Sequence, residues 1–595
     1  MSAPVKVPGS GAFAIEKAVV VGTGIIVVLV TVVHVSGWVL ALVTGNPLPD
    51  FAIGRVLVAI RLRPYAAGVP PVAHAVLLVA VLVAVMWLAR RVLRARRHHA
   101  AAPRQRAGGF DARPGWATTE AVRRVASTTA LMAQARTLRP TLTKPTPADV
   151  GYLLGSSRGQ AVWASCERSI LVVGPPGSGK GLHLAINAIL DAPGAVITTS
   201  TKPDNIKATL LARAARGPVG VFDPQGMLGE AFAHIVAWDP IDGCEDPIRA
   251  ATRAEALAAN TGISSGGENA VWRGHAKTVL ECVLHAAALN GTDIEVAYRW
   301  LQSPHAMDTA LAILETHSDA CPTWDDRLRG LIHNADPRFV GSVMSVVASA
   351  ITPLSLPTVR AALTPTPTRP PVTAASLLGD TGTLYALATD RGAGASAGLV
   401  SALIEDIAYV ARRTAARSPG GRMDPPVLFL LDECANVAPI PSLPNLLADG
   451  RGQSLTIIPI FQTLAQVRSR YGDEDASTVF SASQIKLILG GSDDADDCRD
   501  ISALIGERDD WYATTSHSAH ALAIDTGATT SSSLRKVPIL PPDAIRSIPF
   551  GSAVMLLSQA DPFPLRLRPW TDRPDTTHVA RQQADIENQI LEQEA

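Results

Sequence analysis

Cysteine is scarce and unorganised in this chain. Its 595 residues hold six: Cys166, Cys244, Cys282, Cys321, Cys434 and Cys498. None stands in a Cys-x-x-Cys pair or at a Cys/His metal spacing, which argues against a zinc site and a disulfide framework. They read as small buried hydrophobes of a reducing compartment. Net charge is lacking too, with 53 Lys and Arg against 53 Asp and Glu. Global charge therefore says nothing for or against nucleic acid, and any basic surface has to be local. Lysine is rare, nine against 44 arginines. No internal repeat is evident, and no basic-aromatic stretch marks a nucleic-acid groove. The length exceeds one core, so two or more domains are expected besides any membrane part.

Charge is absent from two long apolar runs. Residues 18–43 carry none and are long enough to cross a bilayer, and 72–89 form a second, shorter run of spanning length. The loop between them, 44–71, holds Arg55, Arg61 and Arg63, while Arg90, Arg91, Arg94, Arg96 and Arg97 follow the second run at once. The positive-inside rule places everything after Ala89, and the tail 1–17, in the cytoplasm. A cleaved signal peptide is the alternative for the first run; its length and the second run speak against it. His34 and His74 have no carboxylate nearby in either run, which favours packing over a proton path. Residues 90–150, polar and punctuated by proline, read as a basic juxtamembrane linker with a helix over 118–138.

The most informative stretch is Gly174, Pro175, Pro176, Gly177, Ser178, Gly179, Lys180, Gly181 and Leu182. It lies between an apolar run, 169–173, and a helical pattern, 182–190. Strand, glycine-rich loop and helix are the context of a phosphate-binding P-loop. Glycines let backbone N–H groups turn around phosphate oxygens, the helix N-terminus adds its dipole, and Lys180 reaches the outer phosphates. An ordinary strand-to-helix turn would account for the glycines but not for the lysine. Gly181 stands where a Ser or Thr would give Mg²⁺ a hydroxyl. A second element, 427–433, is an unbroken apolar strand ending in Asp432 and Glu433. Such a run suits a strand buried on both faces of a parallel sheet, whose ligands sit at the carboxyl ends. Asp432 would hold Mg²⁺ through water, and Glu433 would take a proton from the water attacking a γ-phosphate. The plain alternative is a strand ending in a solvated acidic turn.

Further strands are predicted at 194–200, 219–223, 382–388, 454–461, 485–489 and 552–557, with a helical stretch rich in Ala and Leu from 246 to 350 between them. The expected fold class is α/β, a motor domain interrupted by an all-α domain and preceded by two transmembrane helices. Its parts are a first nucleotide-binding segment at 151–240, an all-α insert at 241–350, a second nucleotide-binding segment at 351–571 and an acidic tail at 572–595. Gln462 ends the strand after the acidic pair, where it either senses a γ-phosphate or caps a turn. Arg451 lies in a glycine-flanked loop, either as a solvated side chain or as an arginine finger for a neighbouring subunit. In the tail, Ile586, Ile590 and Leu591 share a helical face among acids. That pattern predicts an exposed helix suited to a basic protein partner, the alternative being a solvated terminus.

The two apolar runs, the loop GPPGSGKG, the helical insert, LLDECANVAPIPSLPNLLADGRGQ and FQTLAQ together resemble the type IV secretion coupling proteins, the TraG/TraD-like conjugation ATPases. The resemblance runs from residue 18 to about 569 and is most specific over 430–466. Trp238-Asp-Pro240 and Asn269-Ala-Val-Trp272 are similar to family segments, Ser200-Thr-Lys-Pro-Asp204 stands at the family's second strand end, and glycine after the lysine is similar to one branch. The resemblance implies a hexameric, membrane-anchored ATPase of the bacterial cytoplasmic membrane with a RecA-like motor. It implies ATP and Mg²⁺, and partners that are relaxase-bound single-stranded DNA and secretion channel proteins. It carries the family's roles onto Lys180, Asp432, Glu433, Arg451 and Gln462. Two other readings remain: an FtsK-type duplex DNA translocase, whose usual winged-helix reader does not fit in the residues after the motor, and a nucleotide-binding membrane receptor without turnover.

Overall fold

The computed structural model describes residues 109–261, 268–389, 396–517 and 528–592, with isolated positions between 38 and 83. The expected spans at 18–43 and 72–89, the loop between them, the N-terminal tail and the basic cluster after the second span lie outside the described residues, those isolated positions apart. The chain divides into two units, Met1–Arg106 and Ala107–Ala595.

The frame of the second unit is an 11-stranded sheet in the order β2-β1-β13-β12-β9-β3-β8-β7-β4-β6-β5. The strands are β1 (Gly151–Ser157), β2 (Gln160–Ser165), β3 (Ile170–Val173), β4 (Val196–Ser200), β5 (Val219–Phe222), β6 (Thr383–Leu387), β7 (Val427–Leu431), β8 (Leu455–Phe461), β9 (Ile485–Leu489), β12 (Ser552–Leu557) and β13 (Ala560–Leu567). From β9 to β5 every neighbouring pair is parallel, whereas β12, β13, β1 and β2 add antiparallel strands at one edge. β3, β4, β6, β7 and β8 are buried along their whole length. That burial explains their unbroken apolar sequences, since helices cover both faces of the sheet. A separate two-stranded ribbon, β10 (Glu507–His517) with β11 (Ala528–Pro538), pairs only with itself.

Between β5 and β6 the chain is helical. The helical run continues past residue 350, through Pro337–Ile351 to Ala374–Gly379, so the second sheet segment begins only at Thr383. Its core helix, Glu268–Leu289, buries Val279, Leu280, Val283 and Leu284. A buried ionic cluster joins the insert to the motor: Arg249 and Arg253 of the Pro247–Ala259 helix both pair with Asp406 of the Ala397–Ala416 helix, each at 2.9 Å. Arg253 also lies over the Trp238 ring at 5.4 Å and donates to the Pro240 carbonyl at 2.7 Å. The Trp238-Asp-Pro240 motif is thus a seat for that guanidinium. Among the described residues one helical stretch, Pro337–Ser355, is long and apolar enough to cross a membrane; it turns Val343, Val346, Val347 and Ile351 into the protein core.

Arg213 is fully buried without a carboxylate partner. It donates to Thr383 Oγ1 at 2.8 Å and to the carbonyls of Ala192 and Gly194 at 3.0 and 2.7 Å. Those contacts tie the entries to β4 and β6 together. Burial lowers its pKa to about 10, still charged at neutral pH.

Two elements differ from expectation. Residues 109–150 are more than a linker: the helix expected over 118–138 is three short helices, Thr119–Ala126, Thr128–Met132 and Ala135–Leu138, which bury Val122, Leu131 and Leu138 against the sheet. The C-terminal helix, Thr576–Leu591, is not free: Val579 and Ile586 are buried against the motor, and Lys207 pairs with Glu587 at 2.8 Å. Ile590 also packs there, while Leu591 faces solvent. The apolar face covers the Asp204–Ala214 helix instead of waiting for a partner. Deleting Thr577–Ala595 should therefore destabilise the chain by about 3 kcal/mol or more, from two buried aliphatic side chains. Thermal unfolding of full and truncated chains checks this; equal midpoints would mean that the helix does not dock in solution.

Candidate functional site

β3 ends at Val173, and the loop after it is fastened to the neighbouring strand by the Gly174 amide donating to the Phe461 carbonyl at 2.9 Å. Gly177 and Gly179 hold φ of +78° and +82°, a backbone that side-chain-bearing residues rarely take. The Lys180 ammonium folds back over the loop to the Gly174 carbonyl at 3.3 Å. After Lys180 the first turn, Gly181–Ala185, is π-helical before the α-helix Ile186–Asp191 begins, a distortion common at functional sites. His183 braces the loop from beneath, its Nδ1 2.9 Å from the Gly179 carbonyl. Ser178 Oγ is buried without a hydrogen-bond partner.

Asp432 follows β7 directly. Its Oδ1 accepts from the Glu433 amide at 3.1 Å, and its carbonyl accepts from Thr199 Oγ1 of β4 at 3.0 Å. Burial pushes the Asp432 carboxyl up to about 6; the Lys180 ammonium draws it back, and Glu433 and Asp204 push it further up. Glu433 takes a left-handed backbone, φ 51° and ψ 45°, which is strained for a glutamate and marks a tightly specified turn. Gln462 leaves β8, the strand that separates β3 from β7, so it stands between the lysine and the acids. Its amide donates to Gln466 Oε1 at 3.0 Å, and Gln466 Nε2 donates to Asn436 Oδ1 at 3.2 Å. That bridge ties the turn after β8 to the turn after β7. Neither Asn436 nor Gln466 stands out as a site residue in the sequence, although both fall inside its most specific segment.

Lys180, Gln462, Asp432 and Glu433 thus meet at the carboxyl ends of β3, β8 and β7. Arg451 does not join them. It precedes β8, at the opposite end of the sheet, and β8 spans seven residues, about 20 Å. Arg451 is exposed and lies near Arg168, whose pKa is lowered by burial first and by Arg451 next. Two arginines therefore share the edge remote from the P-loop, and only the nearness of strand ends in space reveals the second.

A P-loop sequence and an acidic pair at the carboxyl ends of a mostly parallel sheet define the class, an α/β fold of the P-loop kind. Residues 426–550 match the family model described as the TraM recognition site of TraD and TraG. No curated protein matches the chain. Among solved structures, the conjugative coupling protein TrwBΔN70 in its unbound form is similar at 16% identity and a TM-score of 0.50, over 75% of this chain and 93% of that one. Plasmid coupling protein TrwB in complex with ADP and Mg²⁺ is similar at 15% identity and a TM-score of 0.51, over 73% and 92%. The family match and the shared fold bear out the resemblance to the type IV secretion coupling proteins.

A β-carbon added at Gly181 would meet nothing within 4 Å. Gly181→Ser should therefore change stability by no more than about 0.5 kcal/mol, and should alter the Mg²⁺ dependence of any nucleotide hydrolysis only modestly. A magnesium titration of both proteins checks this; metal-independent hydrolysis by the parent would remove the premise.

Proposed function

We propose that the chain is a membrane-anchored ATPase that brings relaxase-bound single-stranded DNA, with or without protein cargo, to a type IV secretion channel and couples ATP hydrolysis to export. The observation that carries the reading is the desolvated Asp432 held beside Lys180, with Glu433 in a strained turn and Gln462 between the two strands. In this reading Lys180 and the amides of 174–182 bind the phosphates. Glu433 takes the proton of the attacking water, and Gln462 contacts the outer phosphate.

The residues present fit a magnesium ion. Asp432 is a buried carboxylate that a cation would stabilise, Ser178 Oγ is an orphaned hydroxyl in the loop, and the space at Gly181 admits water, of which Mg²⁺ retains several ligands. When bound, the ion neutralises charge on the outer phosphates. Asp432 would hold it through water.

Arg451 cannot serve its own P-loop across the length of β8, so its role as a finger requires a second copy of the chain, in a ring of six by resemblance. The two N-terminal spans supply the anchor in this reading, with the motor in the cytoplasm of the bacterial cell.

In the purified full chain, Lys180→Ala should abolish ATP binding and turnover, whereas Glu433→Gln should keep binding and cut turnover by about a hundredfold or more. Full turnover in Glu433→Gln would show that Glu433 is not the base. Mixing Arg451→Ala with Lys180→Ala protein should restore part of the activity, because each supplies what the other lacks. No recovery in a mixture shown to co-assemble would place Arg451 outside the neighbour's site.

A further inference from the structure

An aromatic ring lies against the P-loop and faces solvent. Phe550 belongs to the turn that leads from the Pro542–Arg546 helix into β12, and it is 66% exposed. Its ring meets His183 edge to face, with centroids 5.0 Å apart. A β-carbon at Gly179 would stand only 2.8 Å from the Phe550 ring, so the ring rests on the phosphate loop itself. The turn is held on both sides. Gly551, at φ +75°, lets the His183 ring approach where a β-carbon would come within 3.1 Å of Nε2, and the Ser552 amide donates to the Pro549 carbonyl at 2.9 Å. One exposed phenylalanine is unremarkable on a protein surface; its place relative to the sheet is what matters.

Strand order supplies the direction. β7, with Asp432 and Glu433 at its end, lies two positions from β3 on one side, beyond β8. β12, entered through Phe550, lies two positions from β3 on the other side, beyond β9. A nucleoside triphosphate whose outer phosphate points toward the acids runs its ribose and base the other way, across β9 and toward β12. We propose that Phe550 is the platform on which the base of the bound nucleotide stacks. The proposal rests on the nucleotide reading above and extends it from the phosphates to the base. A phenyl face recognises π area and carries no hydrogen-bond pattern. The platform therefore selects purine over pyrimidine nucleotides without separating adenine from guanine.

The test is competition by ATP, GTP, CTP and inorganic triphosphate against a ribose-labelled fluorescent ATP on the full chain. Phe550→Ala should weaken ATP and GTP about tenfold and leave inorganic triphosphate unchanged. Phe550→Trp should retain affinity, and ATP but not inorganic triphosphate should quench the new indole emission. Equal loss for ATP and inorganic triphosphate in Phe550→Ala would make the ring a brace of the loop and overturn the proposal. Unchanged ATP affinity would overturn it as well. A parent chain that binds inorganic triphosphate as tightly as ATP has a phosphate site without a base platform. A parent that binds neither has no nucleotide site, and the reading beneath the proposal fails with it.

Discussion

The arrangement depends on β8 running between β3 and β7. Strands in a parallel ladder lie about 4.8 Å apart, so the lysine loop after β3 and the acids after β7 stand roughly two spacings, about 10 Å, from each other. That gap suits a phosphate chain with a hydrated metal ion. β8 fills it at sheet level and delivers Gln462 to its upper rim. Because all three strands are buried on both faces, their side chains are spent on packing, and only the loops at the carboxyl ends are left for chemistry. The same parallel run sends the start of β8, with Arg451, to the far edge. The chain then has the proposed phosphate site at one edge and the candidate finger at the other, so the proposed finger role calls for a second copy.

Electrostatics reinforces this geometry. The site gathers an ammonium and carboxylates, and the buried Asp432 carboxyl responds to the charges around it. Asp432 holds its proton more tightly than an exposed aspartate because water is removed from it. The fold meets its other buried charges differently. Arg253 is answered by Asp406 and by the Trp238 ring, and Arg213 by a hydroxyl and backbone carbonyls. Those two arginines fasten the insert and the strand entries, although Arg253 Nε itself is left without a hydrogen-bond partner. Ser178 Oγ in the P-loop is likewise buried without a partner.

The strands legible in the sequence are those whose local signal is strong. β3, β7, β8 and β9 are apolar runs ended by turn residues, and the pattern places each within a residue or two. The strands that escape it have physical reasons for being hidden. β13 contains Pro562 and Pro564, which read as strand breakers, yet it pairs on both sides within the antiparallel edge. β1 carries two glycines and two serines, and β2 begins at Gln160 and ends at Ser165. A helix over 118–138 is legible, but its apolar residues are sparse, so its division into three and its packing on the sheet are not. The C-terminal helix is amphipathic by sequence, but its partner, the Asp204–Ala214 helix, lies several hundred residues earlier in the chain.

By itself the sequence determined the phosphate loop, the acidic pair, the helical insert and the resemblance carried by residues 430–466, because each is a local pattern with its own chemistry. Tertiary structure alone decided which strand lies beside which, and hence that Gln462 stands between Lys180 and Asp432, that Arg451 is kept from its own site, and that Phe550 rests on Gly179. Those relations join positions from about twenty to several hundred residues apart. They are set by long-range strand pairing and burial, and no local periodicity encodes which buried strand will choose which neighbour.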